Sequence, residues 1–152
     1  MNDELRELYQ EVILDHNKRP LNYGPLPDSN HDGDGRNPLC GDHITLHLKL
    51  QDGQIADVTF EGEGCAISRA SASMMTAAVK GKSLAEAEVI FQQFHDLVTG
   101  KRELTEEELD AMGKLAVFAG VHDYPARVKC ASLAWHTLNA AIAGSDQPVT
   151  TE

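Results

Sequence analysis

Aromatic residues are scarce in this chain of 152 residues, since Phe, Trp and Tyr together make up 5% of it. A hydrophobic core must therefore be built mainly from Leu, Val, Ile, Ala and Met. The sequence also lacks any apolar run near the roughly 18 residues that a membrane span needs. Its first four residues, Met1-Asn2-Asp3-Glu4, are acidic where a secretory signal is basic. We therefore expect a cytoplasmic protein with no membrane association.

Positive charge is also scarce, because 13 Lys and Arg stand against 24 Asp and Glu and give a net charge of −11. Such a surface repels phosphate backbones and anionic lipids, so we expect no nucleic-acid partner. Two interpretations of the acidity stay open. It favours a protein partner with a basic face, or it only keeps the domain in solution.

Cysteine is limited to three residues, Cys40, Cys65 and Cys130. An odd number of widely spaced cysteines does not build a disulfide framework and fits a reducing compartment. Metal binding or thiol chemistry is therefore favoured over cross-linking. The alternative for each cysteine is a plain buried apolar residue, since free cysteine is among the most buried residue types.

Hydrophobic spacing predicts strands and helices within a single domain over residues 1–144, followed by a frayed tail over 145–152. Alternating apolar residues predict an antiparallel pair of strands, 44–50 and 55–61, joined by a turn at Asp52-Gly53. The composition of residues 22–39, rich in Asn, Asp, Gly and Pro, predicts an irregular loop before them.

The same spacing predicts about five helices. The first runs over residues 3–16, the second follows Gly64 and stops at Gly81, and the last runs from Pro125 to Gly144. Two further helices are predicted by capping boxes, a hydroxyl residue followed three positions later by Glu. These boxes are Ser83-Leu84-Ala85-Glu86 and Thr105-Glu106-Glu107-Glu108.

The histidines share no short spacing, so we predict that they are not metal ligands: His16, His43, His47, His95, His122 and His136. His43 follows Asp42, but consecutive side chains of a strand point to opposite faces. His31 precedes Asp32 and Asp34 in an Asp-Gly repeat, which we interpret as a series of turns.

The three cysteines and one acidic residue form the candidate site. Cys40 and Asp42 flank Gly41, and Cys65 lies at a predicted helix N-terminus, where backbone N–H groups favour a thiolate. Cys130 comes one helical turn after Arg127, so Arg127 is expected to pair with a thiolate or with Asp42. Three thiols and a carboxylate suit a tetrahedral Zn²⁺ site, and sulfur is also the ligand of iron–sulfur clusters.

Four segments together resemble the SufU branch of the IscU/NifU-like iron–sulfur cluster assembly family. The segments are Leu8-Tyr9 through Val12-Ile13-Leu14-Asp15-His16, Asn37-Pro38-Leu39-Cys40-Gly41-Asp42, Phe60-Glu61-Gly62-Glu63-Gly64-Cys65-Ala66-Ile67-Ser68 and Arg127-Val128-Lys129-Cys130-Ala131. Lys129 stands where IscU-type scaffolds have a histidine, and residues 101–121 look like an insertion typical of the SufU branch. The resemblance implies an α+β fold, with a three-stranded antiparallel sheet and helices packed mainly on one of its faces.

The resemblance implies a zinc-dependent sulfurtransferase as the leading function. Zinc would hold Cys40, Asp42, Cys65 and Cys130. A SufS-type cysteine desulfurase would displace Cys40 from the metal, and Cys40 would then accept persulfide sulfur while Arg127 stabilises the charge. Further iron–sulfur assembly proteins would act downstream.

Two alternatives stay open on the same residues. The first is a scaffold that binds iron and assembles a [2Fe–2S] cluster for transfer to apo-proteins. The second is a structural zinc domain in which the metal contributes only folding energy. The sequence does not decide between iron and zinc as the resting metal.

Overall fold

A computed structural model describes residues 3–145 and 147–150 of the chain. Its helices and strands are bounded as follows: α1 (Asp3–Lys18), β1 (His31–Asn37), β2 (Asp42–Gln51), β3 (Gln54–Glu63), α2 (Ala66–Val79), α3 (Leu84–Thr99), α4 (Glu106–Met112), a 3₁₀ helix (Gly113–Asp123), α5 (Pro125–Ile142) and β4 (Val149–Thr150). The described part of the chain contains no helix of the length and apolar character needed to cross a membrane.

The strands form one mixed sheet in the order β3-β2-β1-β4. The pairs β1–β2 and β2–β3 are antiparallel, as predicted, whereas β4 pairs in parallel with β1 at Gly35 and Arg36. The expected three-stranded antiparallel sheet is therefore wrong in strand number and in the direction of one pair. The fourth strand comes from the predicted tail, of which Asp146, Thr151 and Glu152 lie outside the described residues.

β1 also corrects the interpretation of residues 22–39 as a loop. The Asp-Gly repeat is a strand and not a series of turns, and it pairs along its whole length with β2, from His31↔Leu48 to Asn37↔Asp42. The third strand that the family resemblance implies is therefore present.

The predicted helix starts of α3 and α4 are confirmed. Ser83 and Thr105 each accept a hydrogen bond from the backbone N–H three residues later, and the side chains of Glu86 and Glu108 accept one from the cap residue in return. α4 and the 3₁₀ helix fill most of the predicted insertion at residues 101–121. The 3₁₀ helix is not distinguished by the sequence pattern.

The core lies between one face of the sheet and the helices. The inward side chains of β2 and β3 are fully buried: Ile44, Leu46, Leu48, Ile55, Val58 and Phe60. From α5, Trp135 stacks on Phe94 of α3 with ring centroids 4.4 Å apart. Its indole Nε1 donates a hydrogen bond to Ser71 Oγ of α2 over 3.1 Å. This contact ties α2 to α5, and each of these helices begins near one of the cysteines.

Two glycines explain how α5 packs against β1. A Cβ atom at Gly33 would lie 2.9 Å from the carbonyl oxygen of Thr137, and one at Gly35 would lie 2.0 Å from Thr137 Oγ1. Real Cβ atoms do not approach so closely, so the helix lies nearer to the strand than any larger residue permits. The Asp-Gly repeat is therefore a packing surface for α5.

A buried histidine holds the end of α1 against α2. His16 Nδ1 lies 2.8 Å from Ser73 Oγ, and Leu21 donates its backbone N–H to the same hydroxyl over 2.8 Å. Burial lowers the pKa of His16, and the positive charge of Lys114 lowers it further. His16 is thus a core histidine with a hydrogen-bond partner, in agreement with its exclusion from the metal ligands.

The packing of α5 on β1 predicts the effect of Gly35→Ala. We expect the added methyl group to cost about 1–3 kcal/mol of unfolding free energy, because it overlaps the Thr137 hydroxyl in a packed interface. Thr137→Ala removes that hydroxyl, so the double variant should be destabilised by less than the sum of the single changes. Urea denaturation of the four proteins measures the coupling. Strict additivity of the two changes would contradict the clash.

The lowered pKa of His16 predicts a loss of stability in mild acid. Below about pH 6.5 the unfolded chain binds a proton at His16 that the folded chain does not, so the free energy of unfolding falls as the pH falls, by at most about 1.4 kcal/mol per pH unit. His136 has a pKa lowered by burial and by His95 and acts in the same direction. His16→Gln should reduce the loss between pH 7 and pH 5.5 in thermal melts, and an unchanged profile would contradict this assignment.

Candidate metal centre

The first two candidate residues lie on the turn between β1 and β2. Cys40 donates its backbone N–H to the carbonyl oxygen of Asn37 over 3.2 Å, which closes a β-turn with Pro38 at its second position. Gly41 then adopts a positive φ of 70°, and Asp42 begins β2 opposite Asn37. The turn leaves Cys40 exposed and directs Asp42 into the protein, where it is 2% exposed.

Cys65 caps the N-terminus of α2, as the sequence predicts. Its sulfur accepts a hydrogen bond from the backbone N–H of Ser68 over 3.4 Å. Its own backbone N–H donates to Asp42 Oδ1 over 2.8 Å. Gly64 makes this approach possible, because its φ is +149° and a Cβ atom there would lie 2.2 Å from the same carboxylate oxygen.

Cys130 lies in the second turn of α5 and is 3% exposed. Its sulfur lies 3.3 Å from the sulfur of Cys40, although the two residues are 90 positions apart in the chain. The helix is fixed next to Cys130 by Ser71 of α2, whose hydroxyl donates to the carbonyl oxygen of Ala131 over 2.6 Å. Cys130 is therefore the most deeply buried of the three thiols.

The ligand atoms of Cys40, Asp42 and Cys130 all lie within 4.8 Å of one another. Cys65 stands beside this group, with its sulfur 4.0 Å from Asp42 Oδ2. In a tetrahedral site with Zn–S bonds of about 2.3 Å, neighbouring sulfur atoms are about 3.8 Å apart. The spacing and the donor types of these side chains therefore fit a thiophilic metal ion such as zinc.

One residue of this centre was missed by the sequence analysis. The side chain of Asn37 is fully buried, and its Nδ2 donates to Asp42 Oδ2 over 3.2 Å and to Cys130 Sγ over 3.5 Å. The residue belongs to the inward-facing positions of β1, where a buried polar group needs a partner. The sequence pattern predicted a loop over residues 22–39. The inward-facing position of Asn37, which would have indicated a buried polar side chain, was therefore not recognised.

The two less exposed thiols differ in acidity. A hydrogen bond with Cys130 lowers the pKa of Cys65 to about 7, against the opposing effect of burial, and the Ser68 N–H also favours the thiolate. The same hydrogen bond and burial raise the pKa of Cys130. Cys65 is therefore the more acidic thiol of this pair.

Arg127 does not form the pairing that its sequence position suggests. Its guanidinium carbon lies 4.6 Å from the centroid of the Tyr124 ring, and Arg127 is exposed. Among the described residues, no hydrogen bond or ion pair joins it to Asp42 or to a cysteine. Its role in stabilising charge stays a prediction. His43 pairs with Asp34 on the opposite face of the sheet and lies outside the centre, as expected.

Comparisons with known proteins identify the family of the chain. Residues 8–131 match the family described as the NifU-like N-terminal domain. The chain is 45% identical to the "Zinc-dependent sulfurtransferase SufU" of Bacillus subtilis (strain 168), with 93% of this chain and 94% of that protein covered. It is 43% identical to the "Iron-sulfur cluster assembly scaffold protein IscU" of Streptococcus pyogenes serotype M1, with 91% and 85% covered.

A solved structure gives the same result for the fold. The protein is FiSufU from thermophilic Fervidobacterium islandicum AW-1, crystallised as a candidate iron–sulfur cluster assembly scaffold protein for the SUF system. The two folds superpose with a TM-score of 0.80 at 34% identity, with 90% of this chain and 98% of that chain covered. The extent of these matches confirms the resemblance seen in the sequence. The chain belongs to the NifU-like N-terminal domain family of iron–sulfur cluster assembly proteins.

Proposed function

We propose that the protein is a zinc-dependent sulfurtransferase that accepts persulfide sulfur from a cysteine desulfurase, with Cys40 as the acceptor. The observation that carries the proposal is the difference in exposure between the thiols. Cys40 is exposed on a turn, whereas Cys130 is buried 3.3 Å away from it. A protein partner can therefore reach Cys40 while the remaining donors stay covered.

The residues that would hold the metal are Cys40, Asp42, Cys65 and Cys130. Zinc, when bound, would act as a Lewis acid that keeps the thiols ionised at neutral pH. The name of the Bacillus subtilis relative supports zinc as the metal. The chain's own contribution is to place one nucleophilic sulfur at the surface next to a buried set of donors.

The transfer itself is a thiol–persulfide exchange. The Cys40 thiolate attacks the terminal sulfur of the partner's cysteine persulfide. A new S–S bond forms on Cys40, the S–S bond on the partner breaks, and the partner's cysteine leaves as a thiolate. The proton of the terminal sulfur stays on that sulfur, so no external oxidant or reductant is consumed.

The acceptor role is tested by replacing single thiols with carboxylates. Aspartate can still ligate zinc but cannot carry persulfide sulfur. We expect Cys40→Asp to retain zinc and to lose stimulation of sulfide release by a cysteine desulfurase, roughly tenfold or more. Mass spectrometry of the parent should detect one added sulfur atom on Cys40.

The matched control is Cys65→Asp, which makes the same change of ligand type and keeps Cys40. We expect this variant to retain zinc and most of the stimulation. Stimulation by Cys40→Asp equal to that of the parent would overturn the acceptor assignment. A parent protein that unfolds without zinc, while Cys40 stays unreactive toward persulfide donors, would instead support a structural zinc domain.

A cluster scaffold is the second candidate function, favoured by the names of the IscU relatives of Streptococcus pyogenes and Thermotoga maritima, which are 43% and 38% identical. Three thiolates and a carboxylate are also suitable ligands for a [2Fe–2S] cluster. Reconstitution with iron and sulfide under anaerobic conditions separates the two functions. If the protein is a sulfurtransferase, we expect no stable visible-absorbing cluster that passes to an apo-acceptor, and one tightly held zinc ion per chain.

A further inference from the structure

The four proposed ligands differ in the hydrogen-bond donors that the protein offers them. The Asp42 carboxylate accepts from the backbone N–H of Cys65 and from the Asn37 side chain. Cys65 Sγ accepts from the backbone N–H of Ser68, and Cys130 Sγ accepts from Asn37. Among the described residues, Cys40 Sγ accepts only from the thiol of Cys130, a proton that is lost when both sulfurs ligate a metal.

Among the described residues, Asn37 is the one side chain outside the ligand set that donates hydrogen bonds to two of these ligands. It lies at the end of β1, directly opposite Asp42 in the register with β2, and its side chain is fully buried. Its backbone carbonyl also closes the turn that carries Cys40. The side chain of Asn37 therefore contacts the buried ligands Asp42 and Cys130, which we call the buried half of the centre. Its main chain fixes the position of the exposed ligand, Cys40.

The orientation of the Asn37 amide follows from the chemistry of its neighbours. A carboxylate and a thiolate can only accept hydrogen bonds, so the NH₂ group must face them and the carbonyl oxygen must point elsewhere. That oxygen, Oδ1, is buried and has no hydrogen-bond partner among the described residues. An unpaired buried acceptor is unfavourable, because it has lost its hydrogen bonds to water without gaining another. The two donated hydrogen bonds therefore set the orientation of the amide, and no partner of its oxygen does.

We propose that Asn37 is a positioning residue of the metal centre. Its amide holds Asp42 and Cys130 in place for the metal and offsets their negative charge. Because these bonds go to the buried ligands and none goes to Cys40 Sγ, they hold the buried half of the centre together when Cys40 leaves the metal. This inference rests on the proposed zinc-dependent function.

Zinc alone is the probe for this proposal. Asn37→Leu keeps the approximate size of the side chain, removes its donor and leaves the backbone turn to Cys40 intact. Loss of such a partner behind a metal ligand typically weakens metal binding by about 10–100-fold. We expect a loss of that size in competition with a chromophoric chelator. Cobalt substituted for zinc should also show altered absorption bands, which report the ligand geometry.

Asn30 provides a matched control at the other end of β1. Its side chain makes two hydrogen bonds to the backbone of Leu50, both 2.8 Å long, far from the thiols. Asn30→Leu should lower the stability of the metal-free protein and leave zinc affinity unchanged. Asn37→Ala is made alongside Asn37→Leu, so that a folding defect caused by the larger apolar group can be recognised by circular dichroism.

The outcomes separate the two proposals. If the parent binds one zinc ion and both Asn37 variants bind it as tightly, the positioning role is wrong while the proposed function stands. An equal loss of affinity in Asn30→Leu would also overturn the role, because the effect would then be general destabilisation of β1. A parent that binds no zinc would overturn the proposed function and this inference together.

Discussion

The close approach of α5 to β1 is the constraint on which the thiol centre depends. Gly33 and Gly35 let the helix lie against the strand at a distance that no Cβ atom permits. Thr137, which contacts both glycines, is about two helical turns from Cys130. A helix and a paired strand are rigid, so this contact sets where Cys130 lies relative to Asn37 and to the turn that follows β1. Two residues that are 90 positions apart, Cys40 and Cys130, are thereby brought into contact.

The same packing produces a gradient of exposure across the centre. Cys130 is buried, Cys65 is partly exposed at the start of α2, and Cys40 is exposed on the turn. The three less exposed ligands also accept hydrogen bonds from outside the ligand side chains, because the backbone N–H of Ser68, the Asn37 amide and the backbone N–H of Cys65 all donate to them. An exposed ligand that has no hydrogen-bond donor outside the ligand set is held less firmly than a buried ligand that has one. This gradient supports the proposal that Cys40 leaves the metal while the other ligands stay in place.

The sequence predicted the elements whose signal comes from apolar residues or caps. β2 and β3 alternate apolar and polar residues, and α3 and α4 begin at capping boxes. β1 was not predicted, because its inward positions include Gly33 and Gly35, and glycine carries no hydrophobic signal. β4 has only two residues, too few for any periodicity. The ligand set was proposed from its donor types and then supported by motif resemblance, since spacing alone cannot bring three remote cysteines together. Asn37 was missed because its strand was predicted to be a loop.

Negative charge at the centre can be compensated by two kinds of group, the neutral hydrogen-bond donors inside it and the charged side chain of Arg127. The donors inside the centre are neutral dipoles, namely backbone N–H groups and an amide, and they stay in place whichever ligand is bound. Arg127 carries a full charge, but its guanidinium lies on the exposed ring of Tyr124, away from Asp42 and the cysteines. A long, exposed side chain loses little by moving to a new partner, because surface contacts of this kind are weak. We therefore expect Arg127 to pair with the negative charge of the persulfide when the partner binds. The backbone N–H groups and the Asn37 amide compensate the charge of the metal ligands.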